Sequence, residues 1–461
     1  MKHTNKLTSI LAAYANSKAA RFHMPGHKGM LPKNSSVASV SGMDITELSF
    51  SDNLHDPHGV IVQVEANCAD TFGCYRSFLL VNGSTAGMLA MLLALGRGKR
   101  ILMGRDCHKS AIAGAALSGA TVTPLYPEYA DGRFGVVSPV NIRQAFAKNS
   151  YDAIVLTYPN YYGMCFDIEQ VADIVHSHGA LLLIDSAHGA HNCFSHSFTA
   201  PTNLADIYVT SLHKTLPAMT QCAVLNVSER AKHLCKRIQA SLRLVQTSSP
   251  SYILMSSIGE SITIGASFDW NAHKNRLRAY RERINAIEGV CIPDYSAQNS
   301  VYETDELRLC ISLLDTDGYS AMRHLEENDI YIEMADLNTL VLITSPCDPD
   351  EWYERLIQAL KTLPATKAPA YLPNVPDTQT YPLDFGTAML GEYERMPLEN
   401  ALGRTAAQPI GVYPPGNAVI LPSETITGEA IVYLSKTRNL GGSVFGIDDG
   451  EVYCTKPIID I

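Results

Sequence analysis

The chain lacks any apolar run approaching the roughly 20 residues of a membrane-spanning helix, so no such span is expected and no membrane partner. Its first 22 residues, MKHTNKLTSILAAYANSKAARF, lack a long apolar stretch and a small-residue cleavage site, and are expected to form an amphipathic helix of the mature protein. A basic block is absent too. Lys and Arg number 36 against 46 Asp and Glu, and the net charge of −10 argues against nucleic acid or an anionic membrane as partner. The 11 cysteines form no CxxC pair, and their odd number reads as buried or free thiols in a reducing cytoplasm, with no strong nucleophile among them. Neither GxGxxG nor GxxxxGK followed by Ser or Thr occurs, which weighs against nicotinamide and nucleotide-triphosphate chemistry. HExxH is missing as well. The close pairs His23/His27, His55/His58, His176/His178 and His188/His191 therefore read as no metal centre.

What is present is a soluble globular composition, 46% hydrophobic and 18% charged, over 461 residues, a length that favours two or three domains around a large one. Between about 78 and 226, short apolar runs alternate with segments of helical period: FLLVN, RILMG, AIVLTYP, LLLID, ADIYVTS and AVLNV are the runs. Such alternation predicts an α/β domain with a mainly parallel sheet covered by helices, and a ligand off the carboxyl ends of the strands. ELRLCISLL, YSAMRHLEENDI and NTLVLITS predict a small strand-helix-strand unit near 306–345. The Pro/Thr-rich stretch TLPATKAPAYLPNVPDTQTYP reads as a linker. The expected organisation is a large domain over 1–290, a small α/β domain over 291–365, a linker over 366–385 and a tail domain over 386–461.

The chemistry collects at strand ends. LLLIDSAHGAH closes an apolar run with Asp185, and a carboxylate there needs a cationic partner. The protonated pyridine nitrogen of pyridoxal 5'-phosphate (PLP) is one, with small Ala187 letting the ring lie flat and His188 close by. ADIYVTSLHKTLPAMTQ carries Ser211, His213 and Lys214, an amine that partial desolvation would bring toward the neutral form that condenses with an aldehyde. A lone loop lysine is usually a solvated charge, and the ordered pair Asp185 then Lys214 reverses that judgement. In FLLVNGSTAGMLAMLLAL, the backbone N–H groups of Gly83, Ser84 and Thr85 at a helix start offer an anion site, equally readable as a simple cap. His108 in RDCHKSAIAGAALSG could stack on a ring and move protons, or merely pack.

These motifs resemble those of the Orn/Lys/Arg decarboxylases, PLP enzymes of the aspartate-aminotransferase fold, fold type I. FHMPGHKG, DITEL, DNLHDPHGVI, VNGSTAG, RDCHKS, LTYPNYYG, IDSAHGAH, SLHKTLPAMTQ, TSSPSYILMSSI and IYIEMAD follow in order, and PLENALGRTAAQPIGVYPPGNAVILPSETIT resembles the family's C-terminal domain. The resemblance implies a Schiff base on Lys214, ring-nitrogen pairing by Asp185 and stacking by His108. It gives phosphate contacts to Ser84, Thr85, Ser211 and His213, and to Ser249 across a homodimer interface or within a higher homo-oligomer.

Two departures stand out: YPPGNA where the family has YPPGIP, and PSE where it has PGE. The length matches short members without an N-terminal wing domain. The implied reaction is decarboxylation of arginine, lysine or ornithine to agmatine, cadaverine or putrescine in polyamine metabolism, with His213 or Lys214 protonating Cα. Glu333, Asp44 and Glu47 are candidates for meeting the distal cation. The alternatives are another fold type I reaction, an aminotransferase or lyase in which Arg308 could grip a carboxylate although it reads as a strand-surface charge, and a non-catalytic regulatory subunit.

Overall fold

The computed structural model describes residues 5–32, 34–130, 133–295, 300–365, 383–413, 416–439 and 441–456. Its largest sheet has eight strands: β1 (Arg76–Leu80), β2 (Arg100–Gly104), β3 (Thr121–Leu125), β4 (Ala153–Thr157), β5 (Leu181–Asp185), β6 (Ile207–Ser211), β7 (Ala223–Val227) and β8 (Leu383–Asp384). Their spatial order is β1-β7-β6-β5-β4-β2-β3-β8. The expected α/β class holds, and the sheet is mixed, with β7 and β8 set against their neighbours. β2 pairs parallel with β3 and β4, whereas β7 runs antiparallel to both β1 and β6, and β8 antiparallel to β3. The segment 212–222 between β6 and β7 is too short for a parallel crossover, so the chain doubles back. β3, sequence TVTPL, escaped the apolar-run pattern because two threonines and a proline interrupt it.

The chain forms two compact units. One comprises 1–94, 184–196 and 200–269, the other 95–183, 197–199 and 270–461. In the first, the N-terminal helix is Lys6–Ala15, shorter than the 22-residue segment expected to form it. It buries Leu7 and Leu11, and Asn5 caps it while donating from Nδ2 to the Ser256 carbonyl at 2.9 Å.

In the second unit, helix Lys109–Ser118 follows β2, starting at the His108 N-cap and ending at Gly119 with φ of 62°. The predicted small unit is an antiparallel sheet, ordered Val290–Cys291, Arg308–Leu313, Thr339–Ile343, Met334–Ala335, with helix Gly318–Glu327 beside it. Most of the expected linker, 366–382, lies outside the described residues. Its last three residues are ordered structure: Leu383–Asp384 is β8, and Phe385 opens helix Phe385–Leu390. The tail packs around Leu398, Ile410, Val419, Ile420, Ile426 and Leu434. Among the described residues no helix is long and apolar enough to cross a membrane.

Candidate active site

Within the first unit, three strand ends converge through their side chains. β5 is buried from Leu182 onward and stops at Asp185, which is 5% exposed. Asp185 Oδ1 accepts the Ala187 N–H at 3.1 Å, and no Lys, Arg or His of the described residues forms an ion pair with it. The chain next turns through Ser186, whose N–H donates to the Val209 carbonyl of β6 at 2.9 Å, and thereby places buried Ala187 and His188 beside the end of β6.

β6 is buried throughout and runs into the single helical turn Leu212–Thr215. That turn points the half-buried Lys214 back toward β5, with Nζ 3.0 Å from His188 Nε2. His213 Nδ1 lies 2.9 Å from the Cys222 carbonyl, which can only accept, so Nδ1 carries the proton in this pairing. His191 N–H donates to Thr215 Oγ1 at 3.2 Å and ties the segment after β5 to the turn after β6.

The anion cradle is built by packing. Helix Gly83–Leu95 follows β1, and Gly87 lets it sit down on the sheet: a Cβ there would lie 2.7 Å from Val209 Cγ2 and 2.8 Å from Leu80 Cδ1. The helix start consequently meets the end of β6, where Ser211 Oγ donates to Ser84 Oγ at 3.0 Å. Gly83 adopts φ of 71°, a conformation that costs a side-chain-bearing residue, and its N–H donates to the Gln221 carbonyl at 3.0 Å. Gly83 therefore shapes the turn without offering its own amide. The first-turn amides of Ser84 and Thr85 have no acceptor inside the helix, and with the two hydroxyls they form a group of donors suited to an anion.

Ser249 is exposed on the loop after helix Cys235–Val245, its N–H on Thr247 Oγ1 at 3.2 Å. That loop is anchored beside the cradle by a residue the sequence did not flag. Buried Gln246 accepts the Val81 N–H at 2.9 Å and donates to the Leu79 carbonyl at 3.3 Å, and Thr247 N–H donates to Asn82 Oδ1 at 3.2 Å. A lone glutamine after an amphipathic helix carries no sequence signal of this task.

The remaining candidates are placed as follows. In the second unit, half-buried His108 accepts the Ser110 N–H on Nδ1 at 3.2 Å, so a neutral ring carries its proton on Nε2. Exposed Glu333 accepts from the Tyr161 hydroxyl at 2.6 Å. Arg308 is no strand-surface charge: it is 3% exposed and packed against Gly163, where a Cβ would lie 2.8 Å from Arg308 Cβ. In the first unit, Asp44 pairs with His27 Nε2 at 3.1 Å, and Glu47 accepts from Thr46 Oγ1 at 2.6 Å. All 11 cysteines are free thiols, and burial pushes those of Cys74 and Cys222 up to about 11, away from nucleophilic use.

Family models described as Orn/Lys/Arg decarboxylase, major domain, and Orn/Lys/Arg decarboxylase, C-terminal domain, match residues 5–281 and 370–449. Arginine decarboxylase of Halalkalibacterium halodurans is 30% identical, over 96% of this chain and 95% of its own length. Lysine decarboxylase LdcA of Pseudomonas aeruginosa is 24% identical, over 51% of this chain and 36% of its own length. Constitutive lysine decarboxylase of E. coli matches as a solved structure with a TM-score of 0.80 at 16% identity, covering 98% of this chain and 82% of that one, a likeness of fold.

Proposed function

The chain belongs to the Orn/Lys/Arg decarboxylase family, PLP-dependent enzymes that decarboxylate basic amino acids, and from that premise we propose arginine as its substrate and agmatine as its product. The observation that carries this choice is coverage in sequence: arginine decarboxylase of Halalkalibacterium halodurans aligns along nearly the whole chain, whereas lysine decarboxylase LdcA of Pseudomonas aeruginosa aligns along half. Polyamine metabolism in the cytoplasm is the corresponding setting, and a homodimer or higher homo-oligomer the corresponding assembly.

The residues present fit PLP. Asp185 is a buried carboxylate with one backbone hydrogen bond and no cation of the described chain, a suitable partner for a pyridinium N–H. Ser84, Thr85, Ser211 and His213 suit the phosphate, with Ser249 nearby on the Gln246 loop, while Gly83 supplies the turn and Ala187 the small surface. Lys214 would hold the cofactor covalently, and His108 would stack on its ring. Bound PLP supplies an electron sink for the Cα–carboxylate bond.

The chain's own groups handle the protons. Asp185 would keep the cofactor's ring nitrogen protonated. His188 Nε2, 3.0 Å from Lys214 Nζ, can take a proton from the ammonium so that a neutral amine is available. Carbon dioxide leaves with the carboxyl carbon, and one proton from Lys214 Nζ, or from Nε2 of a doubly protonated His213 ring, replaces it at Cα, so the α-amino acid and a proton become the amine and CO2. Glu333, held by Tyr161, is the carboxylate we assign to the distal guanidinium.

The test is product analysis of PLP-loaded protein given arginine, lysine or ornithine separately, with Lys214→Ala as control. Agmatine and CO2 from arginine, absent in the variant, are expected. Cadaverine or putrescine as the dominant amine would overturn the choice of arginine, and no CO2 from any of the three would overturn the substrate class.

A further inference from the structure

The turn that presents His108 is held from a distant part of the sequence. Arg105, directly after β2, is fully buried, and its guanidinium meets Glu424 in a fork: Nη1 donates to Oε1 at 2.5 Å and Nη2 to Oε2 at 2.6 Å. Nη2 also donates to the Val419 carbonyl at 2.6 Å, and Glu424 Oε2 accepts the Leu421 N–H at 2.6 Å. Three residues past Arg105, His108 forms an antiparallel bridge with Asn417. A Cβ on Gly416 would lie 4.0 Å from the Cδ2 of the His108 ring. One strand, Asn417–Ile420, therefore grips the 104–108 turn at both ends, and it is itself fixed by pairing with Ile410–Tyr413 and by the buried Val419 and Ile420.

A buried ion pair is a poor way to gain stability, because desolvating two charges offsets most of their attraction and apolar replacements often do as well. What the fork does supply is geometry. A planar guanidinium clamped by two carboxylate oxygens and a carbonyl fixes the backbone that carries it far more narrowly than apolar packing. We propose that Arg105 and Glu424 are positioning residues for His108, so that the C-terminal part of the chain sets the ring that meets the cofactor. This rests on the reading above in one respect, that His108 contacts PLP.

The test is a double-mutant cycle of Glu424→Gln with His108→Ala, read by kcat and by the visible circular dichroism of bound PLP. In the parent, Glu424→Gln should lower kcat roughly ten- to a hundredfold, as misplacement of a contact group does, and change the dichroic band. In the His108→Ala background it should add nothing to either readout, because the group it positions is gone. Arg105→Lys, which keeps the buried charge and loses the fork, gives the same cycle if Glu424→Gln does not fold. Equal losses in both backgrounds, or an unchanged band in the parent, overturn the proposal. If the parent decarboxylates none of the three basic amino acids, the functional reading fails, and the dichroic cycle still decides whether Glu424 acts through His108.

Discussion

Asp185 and Glu424 are equally sealed from water, at 5% and 2% exposed, and each ends or follows a buried strand. Glu424 has everything a buried carboxylate needs: a bidentate arginine and a backbone amide. Asp185 has one backbone amide, and no cation of the described chain pairs with it. Desolvating an anion without compensation is costly, so the difference indicates where the chain closes its own electrostatics and where it leaves them to a ligand. Glu65 is a third case: Arg76 stands off at 3.7 Å, and burial outweighs it, pushing the Glu65 carboxyl up to about 7.

Substitution separates the two carboxylates. Asp185→Ala should lower kcat on the order of a thousandfold, the scale seen when a charge partner of the reacting centre is removed, while the thermal midpoint holds or rises. A collapse in stability would place Asp185 with the structural carboxylates instead. Glu424→Ala should show the reverse emphasis, losing roughly 3–5 kcal/mol of stability in denaturant titration because Arg105 is left buried and uncompensated. Pairing it with Arg105→Met should recover most of that loss, and no recovery would argue that the charge pair itself sustains the fold.

Smaller effects follow at the cradle. Ser211→Ala removes the donor to Ser84 and should weaken PLP binding by about 1 kcal/mol, measured by titration of the apoprotein; unchanged affinity would remove Ser211 from the phosphate site. The smallest effect is pH-dependent. The native state keeps a proton on Glu65 that the unfolded chain releases from about pH 4.5, so this group's stabilisation falls as pH rises toward 7 and stays low above it. Glu65→Gln should remove that slope from the thermal midpoint between pH 5 and 8, and an identical slope in the variant would contradict the burial argument.

Legibility in the sequence followed distance along the chain. That Asp185 closes β5 and that Ser211, His213 and Lys214 lie at the end of β6 was readable because an apolar run ending in a polar residue states both the strand and its carboxyl end within a dozen positions. The Arg105–Glu424 fork was not, since its partners stand 319 residues apart and either alone reads as a surface charge. Arg308 was misread for the same reason: only the fold brings Gly163 against it. Gly83 opens the helix as expected, but its amide serves Gln221, a bond that depends on the return of β7 against β1. That antiparallel return came from a short connection, whereas the apolar runs reported strands without their direction.

Lys214 is the amine we propose to hold the cofactor beside Asp185. Borohydride reduction of the PLP-loaded protein, followed by peptide mass mapping, tests this directly. A pyridoxyl mass on Lys214 alone, absent when Asp185 and Lys214 are intact but PLP is withheld, is the predicted result; the same mass on a different lysine, or no adduct despite a visible absorbance band, would contradict it.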